Sequence, residues 1–282
     1  MKRGEKPFPG RYPIGQGEAE LLRDADRDNG WVINIQGVPQ SYVDLDDPTH
    51  LDFEYMRLLG DVVDRLPGGP LDAVHIGGAG CTLARYIAAT RTGSRQIVYE
   101  LDEALVQLVR EQFSLKSVRG LKVRVGDGRA GLAALPDASD DLIVVDAFSG
   151  ARMPLALASV EFAGDAARVL RENGVYLANI ADGTGLGFTR RFAATLAEVF
   201  PHTLLLGEPA VLRGRRFGNL VLAGSRAPLP IAGLTRAGAG KAIPARCMDT
   251  ADLARFSAGH RPIRDGDRVS VPVPPPAVFG RG

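Results

Sequence analysis

Between Leu71 and Phe200 the chain repeats one pattern five times: a short apolar run prone to form a strand, a turn, and a segment with helical apolar spacing. The runs are "LDAVHI" (71–76), "RQIVYE" (95–100), "LKVRVGD" (121–127), "DLIVVD" (141–146) and "GVYLANI" (174–180). They are followed in turn by "CTLARYIAAT", "DEALVQLVREQF", "GRAGLAAL", "ASVEFAGDAARVL" and "GFTRRFAATLAEVF". Parallel strands need long crossover connections, and those crossovers are right-handed. Five such units therefore demand an α/β fold: a doubly wound, mostly parallel Rossmann-like sheet with helices on both faces. Two last runs, "HTLLLGE" and "NLVLAGS", have no crossover helix between them, so an antiparallel strand is expected at one edge.

The flanks read differently. Residues 1–17 are rich in Gly, Pro and charge and are expected to fray. "EAELLRD", "GWVINIQ" and "QSYVDLD" are β-prone pieces separated by turn residues, which predicts a small N-terminal β-domain over 1–48. A sheet this small must pack on the main domain or on a partner chain. In "DDPTHLDFEYMRLLGDVVDRLPGG", Leu51, Tyr55, Leu58, Leu59, Val62, Val63 and Leu66 recur at helical spacing. Asp47 or Thr49 would cap this helix, and Pro67-Gly68 would stop it. The Rossmann-like domain then covers 49–225. Residues 226–282, dense in Pro, Gly and Arg, are expected to form an extended tail with at most one short helix near "DTADLARF".

Bulk properties exclude several classes. A net charge of +1 marks neither a nucleic-acid binder nor a membrane-surface protein. The two cysteines, Cys81 and Cys247, are too few for a disulfide framework and fit a reduced cytosolic setting. No apolar run approaches the roughly 18 residues of a membrane span, and "MKRGEKPFPGRYPIG" lacks the apolar core of a secretory signal. A soluble, cytoplasmic protein is expected. His50, His75, His202 and His260 are scattered without metal spacing, so no metal is expected. His75 lies inside a strand and reads as a core residue; Cys81 opens a helix but reads as a small buried one. No G-x-S-x-G elbow and no Gly-Lys-Ser/Thr phosphate loop occurs.

Ligands of open α/β sheets bind at the carboxyl ends of the strands. At the first such end, Gly77, Gly78 and Gly80 permit a tight turn ahead of a helix, either for close approach to a ligand or for packing. At the second, Glu100 could accept both hydroxyls of a ribose, or could serve as a helix cap, a role that Asp102 fills better. At the third, Asp127, between Gly126 and Gly128, could accept from the amino group of adenine or simply make an Asp-Gly turn. At the fourth, Asp146 ends the apolar "LIVV", facing the same crevice or capping the loop after it. A glycine turn followed by acids at three successive strand ends suits an adenosine thioether or sulfonium. "GGAGCT" does not meet the G-x-G-x-x-G pattern of hydride-transfer folds.

The succession "HIGGAGCTLARY", "VYELDEALVQLVREQF", "VRVGDGRAGL", "DLIVVDAFSG" and "EFAGDAARVLRENGVYLANI" resembles the polyamine aminopropyltransferases, typified by spermidine synthase. "GVPQSYVDLDDPTHLDFEYMR" is similar to their small N-terminal β-domain and the segment joining it to the core. The likeness spans roughly residues 18–225. It implies a class I methyltransferase-like fold and transfer of an aminopropyl group from decarboxylated S-adenosylmethionine to a polyamine amine. It also implies roles: Asp146 as general base and cation anchor, Glu100 on the ribose, Asp127 at the adenine, Gln40 on the nucleoside from the N-terminal domain, and Tyr55 beside the amine. The family's habit of forming dimers or tetramers implies a homodimer.

Two departures stand out. The family's glycine turn usually reads like Gly-Gly-Gly-Asp-Gly-Gly, whereas "GGAGCT" has no acid and is one residue shorter. Its loop after the fourth strand usually reads like Asp-Ser-x-Asp-Pro, whereas "DAFSGARMP" keeps one Asp and adds Arg152. Arg152 either points inward, repelling a polyamine, or is solvated. Each lost charge-assisted contact would cost about 2–4 kcal/mol, or tens to hundreds in affinity. The expected activity is therefore aminopropyl transfer with an eroded polyamine site and a loop over 147–157 closing on it. The alternatives are a methyltransferase using S-adenosylmethionine itself and a non-catalytic nucleoside-binding homologue. "RGRR" (213–216) would attract an anion or form a solvated turn.

Overall fold

The computed structural model describes residues 7–150, 152–240 and 244–275. The chain opens with four strands, β1 (Gly10–Ile14), β2 (Gly17–Arg23), β3 (Gly30–Ile35) and β4 (Val38–Asp44), paired in sequence order as an antiparallel meander. Three strands were expected there. The extra one falls where fraying was expected, because the Gly15-Gln16 turn is tied down: both backbone N–H groups donate to the Asp102 carboxylate at 3.0 Å. Residues 1–6 lie outside the described residues. Ala19, Leu21, Trp31, Ile33 and Val43 turn one face of the meander onto Leu105, Leu108, Val109 and Phe113, so the small sheet shares a core with the main domain.

The next helix, α1 (Glu54–Val63), begins later than the sequence suggested. Asp47 caps a turn instead, accepting from the Thr49 N–H and hydroxyl, and Phe53 occupies the cap position without a side-chain bond. Then come β5 (Asp72–Ile76), α2 (Thr82–Thr90), β6 (Arg95–Glu100), α3 (Glu103–Gln112), β7 (Leu121–Val125), α4 (Gly128–Ala133), β8 (Asp140–Val145), α5 (Val160–Val169), β9 (Leu170–Asp182), α6 (Gly187–Val199), β10 (His202–Gly207), the short α7 (Pro209–Leu212) and β11 (Gly218–Ser225). The chain finishes with α8 (Ile231–Ala239), β12 (Arg246–Met248) and α9 (Thr250–Ser257).

The large sheet runs β12-β10-β11-β9-β8-β5-β6-β7. From β7 through β9 all pairings are parallel, as the repeated β-then-α pattern requires. β11 is antiparallel to both β9 and β10 and lies between them, not at the edge. The edge belongs to β12, which pairs Arg246–Met248 with Leu205–Gly207. Among the described residues the segment after Ser225 therefore holds two helices and a strand where at most one short helix was expected. Its apolar residues dock one by one (Leu234, Leu253 and Ile263 are buried), and so sparse a pattern shows no period. Residues 276–282 lie outside the described residues.

Alternation along the central strands splits their side chains between two cores. Ile143 and Val145 face α5 and α6 with Phe162 and Phe192, while Leu142 and Val144 face α1 and α2 with Leu59, Val62 and Ile87. The doubly wound sheet is covered on both faces, which leaves its upper rim, where the strands end, as the place for a cleft. Among the described residues no helix is long and apolar enough to cross a membrane.

Candidate active site

A cleft of about 1520 Å³ lies over the carboxyl ends of the parallel strands, between the large sheet and the meander. Gln40, Tyr55, Gly77, Gly78, Glu100, Asp127, Gly128 and Asp146 all line it. Gly80 does not. A Cβ there would lie 2.6 Å from Val43 and 2.7 Å from the Ser41 hydroxyl, so its smallness serves the seating of the meander. Arg152 is exposed and outside the cleft wall, as a solvated loop arginine.

Glu100 and Asp127 are held differently. Glu100 accepts from the Asp102 N–H at 3.2 Å. Burial pushes its carboxyl above the ordinary value, and the N–H groups of Asp102, Ala79 and Leu101 pull it back. Asp102 caps α3 by accepting from Leu105, which leaves Glu100 turned to the cleft. Beside it, Leu101 is 65% exposed and lines the cleft with an apolar surface. Asp127 caps α4, one oxygen accepting from Ala130 at 2.7 Å, and the residue also lines the cleft.

Asp146 follows the end of β8, beside Gly77. Its Oδ1 accepts from Asn179 Nδ2 at 2.8 Å, and its Oδ2 makes a longer contact of 3.4 Å with the Tyr55 hydroxyl. Asn179 accepts in turn from Asn219 Nδ2 at 2.9 Å. The relay Asn219–Asn179–Asp146 crosses three neighbouring strands and fixes the carboxylate's orientation. Burial raises the Asp146 carboxyl to about 6, against the pull of the Asn179 and Tyr55 bonds, with Glu100 adding a small repulsion. Tyr55 is held well above its ordinary range by burial and by the Asp146 charge, so it stays a donor.

The residues not anticipated are Asn179, Asn219, Glu54 and Glu208; Arg216, expected within "RGRR" to attract an anion or be solvated, meets Glu208 and Glu54. Asn179 left a trace: it is the one amide side chain inside the otherwise aliphatic and aromatic "GVYLANI", and it is 1% exposed. The others sit at element ends, where polar residues carry no signal. His75 bonds Gln96 at 2.9 Å and is pushed down to about 4 by burial, so it is a neutral core residue. Burial pushes the Cys81 thiol up to about 12, which makes it inert.

No family model matches the chain. A polyamine aminopropyltransferase of Chromobacterium violaceum is 28% identical over 141 residues, covering 50% of this chain and 53% of that protein. The match thus spans about half the length of that curated relative. The crystal structure of a probable spermidine synthase from Corynebacterium glutamicum is 34% identical, with a TM-score of 0.87, covering 95% of this chain and 100% of that one. The chain belongs to the spermidine synthase family. A spermidine synthase solved with the transition-state analogue AdoDATO, 18% identical with a TM-score of 0.57 over 83% of this chain and 79% of its own, shares the fold. The family's methyltransferase-like sheet and small antiparallel sheet are both present here.

Proposed function

We propose that this protein moves an aminopropyl group from decarboxylated S-adenosylmethionine to an amine. The observation that carries the reading is Asp146: a carboxylate oriented by Asn179 and Tyr55 at a strand end, with a pKa of about 6, in the cleft that Glu100 and Asp127 also line. Glu100 would hold the ribose hydroxyls, Asp127 and the face of Leu101 the adenine, and Gln40 the nucleoside from β4. Asp52, Glu54, Glu100, Asp102, Asp127, Asp146 and Glu208 line the cleft against Arg57, Arg129 and Arg216. This negative balance among the described residues supports a cationic donor without a carboxylate. The structure with AdoDATO supports the same ligand class by kinship of fold.

In the reaction, the acceptor arrives as an ammonium and gives one proton to Asp146. The freed lone pair attacks the propyl carbon bound to sulfur. The C–S bond breaks with its electron pair going to sulfur, so the sulfonium leaves as neutral methylthioadenosine and needs no acid. The loss of acids from the glycine turn and from the loop after Asp146 supports weak grip on a polyamine. The reading includes a cytoplasmic setting and a homodimer through the small sheet, whose outer strand β1 has an edge unpaired among the described residues; gel filtration checks the latter.

Calorimetry with decarboxylated S-adenosylmethionine, S-adenosylmethionine and methylthioadenosine, followed by product assay with putrescine and spermidine, tests the reading. Tighter binding of the decarboxylated donor with product formed supports it. Preference for the carboxylated donor would point to methyl transfer, and nucleoside binding without product to a non-catalytic homologue.

A pH profile follows from Asp146. The base is the ionised form, present above pH 6 and lost as pH falls through about 6, so kcat/KM should drop tenfold per unit below that value. Asn179→Leu removes the bond that favours the ionised form. The acid limb should then move up by roughly one unit, the worth of one hydrogen bond to a charge. An unmoved limb would mean that Asn179 does not tune Asp146.

A further inference from the structure

Beyond Asp146 the cleft continues over β9, β11 and β10. Three strand spacings separate β8 from β10, roughly 14 Å across the sheet. Two carboxylates stand at that far end. Glu208 follows the end of β10, and Glu54 opens α1 next to Tyr55. Either would attract the distal ammonium of an extended polyamine. Arg216, in the loop returning from α7 to β11, already donates to Glu208 and lies 3.6 Å from Glu54. All three line the cleft, and the two residues that follow at its wall are Phe217 and Gly218, ahead of the relay's Asn219.

The geometry points to Arg216 as a specificity residue: its guanidinium occupies the far carboxylates, so the cleft favours an acceptor with a single cationic nitrogen, the one Asp146 serves. This rests on the aminopropyl-transfer reading given above. A guanidinium does not deprotonate in the working pH range, so no change of pH frees the two acids for a second ammonium. An incoming distal cation must displace Arg216 from a charge-assisted bond or lie against a like charge. The Arg216 side chain is 51% exposed, where an ion pair adds little to folding. Its removal therefore changes the cleft and spares the fold.

The test is calorimetric titration of n-butylamine, putrescine and spermidine into the full chain saturated with methylthioadenosine, as wild type and as Arg216→Gln. Spermidine should bind the variant about tenfold more tightly than it binds the wild type, putrescine should gain less, and n-butylamine should change less than twofold. Where product forms, kcat/KM should follow the same ranking. The inference is overturned if the wild type already binds spermidine at least ten times more tightly than n-butylamine, or if the variant leaves all three affinities unchanged. The affinities are read without turnover. A protein that binds the amines in the expected ranking but transfers nothing would refute the proposed reaction and leave the role of Arg216 standing.

Discussion

Asp146→Asn should abolish aminopropyl transfer, lowering kcat/KM by about 10²–10⁴-fold, the range a positioned general base supplies. The amide cannot take the ammonium's proton. It nearly matches the carboxylate in shape, and its oxygen can still accept from Asn179, so the relay and the cleft keep their form. Affinity for methylthioadenosine should stay within about threefold, because Asp146 acts on the amine and not on the nucleoside. Stability should rise. A carboxyl whose folded pKa lies near 6 instead of 3.8 contributes stability that is full below pH 3.8 and is lost as pH climbs through 6. At neutral pH the native protein therefore holds an ionised group its surroundings disfavour, at a cost of about 1–3 kcal/mol. Removing the charge recovers part of that, so thermal unfolding of the variant should shift upward. Unchanged turnover would remove Asp146 from its role, whatever the melting curve does.

Gly77→Ala should be the most damaging change of a residue with no reactive group. Gly77 has φ +77, a conformation that costs an L side chain about 1–2 kcal/mol. A Cβ there would also lie 2.5 Å from the Asp146 carbonyl oxygen and 2.8 Å from the Ala147 Cα, both backbone atoms that cannot swing aside. Strain and overlap together should destabilise the fold by roughly 2–4 kcal/mol and lower Tm on the order of 5–10 °C. Relief of the clash pushes the start of the 147–157 loop away from β5 and takes the Asp146 carboxylate out of reach of Asn179. Activity should fall with stability. A variant that melts normally and turns over normally would mean that the glycine turn does not set the position of Asp146.

The doubly wound sheet could be read from the chain because strand and helix periods are local, and five repeats of them allow few topologies. The acids of the cleft were equally legible. Once a strand is placed, the residues at its end are placed too: Glu100 is the last of β6, Asp146 follows β8 directly, and Asp127 lies two residues past β7. The meander was partly legible: β1 was missed because what holds it is the Asp102 carboxylate, 87 residues from Gly15. Gly80 was misread because glycines of one turn look alike in sequence, and only the packing of Val43 and Ser41 against it shows which one faces the ligand side. Of the tail, α9 falls where a short helix was expected, at "DTADLARF"; α8 and β12 were missed because the tail's apolar residues are too sparse to show a period. They are ordered by what they meet, as when Arg129 grips Asp265 across 136 residues.

The sequence by itself therefore determined the fold class and the placing of carboxylates at the strand ends, since both follow from patterns a few residues long. Only the tertiary structure decided what surrounds those groups: the Asn179 and Tyr55 contacts on Asp146, and Arg216 seated between Glu208 and Glu54. The reason is physical. A carboxylate's pKa, and a cleft's preference among cations, are set by charges and dipoles within a few ångströms, and those neighbours come from distant parts of the chain.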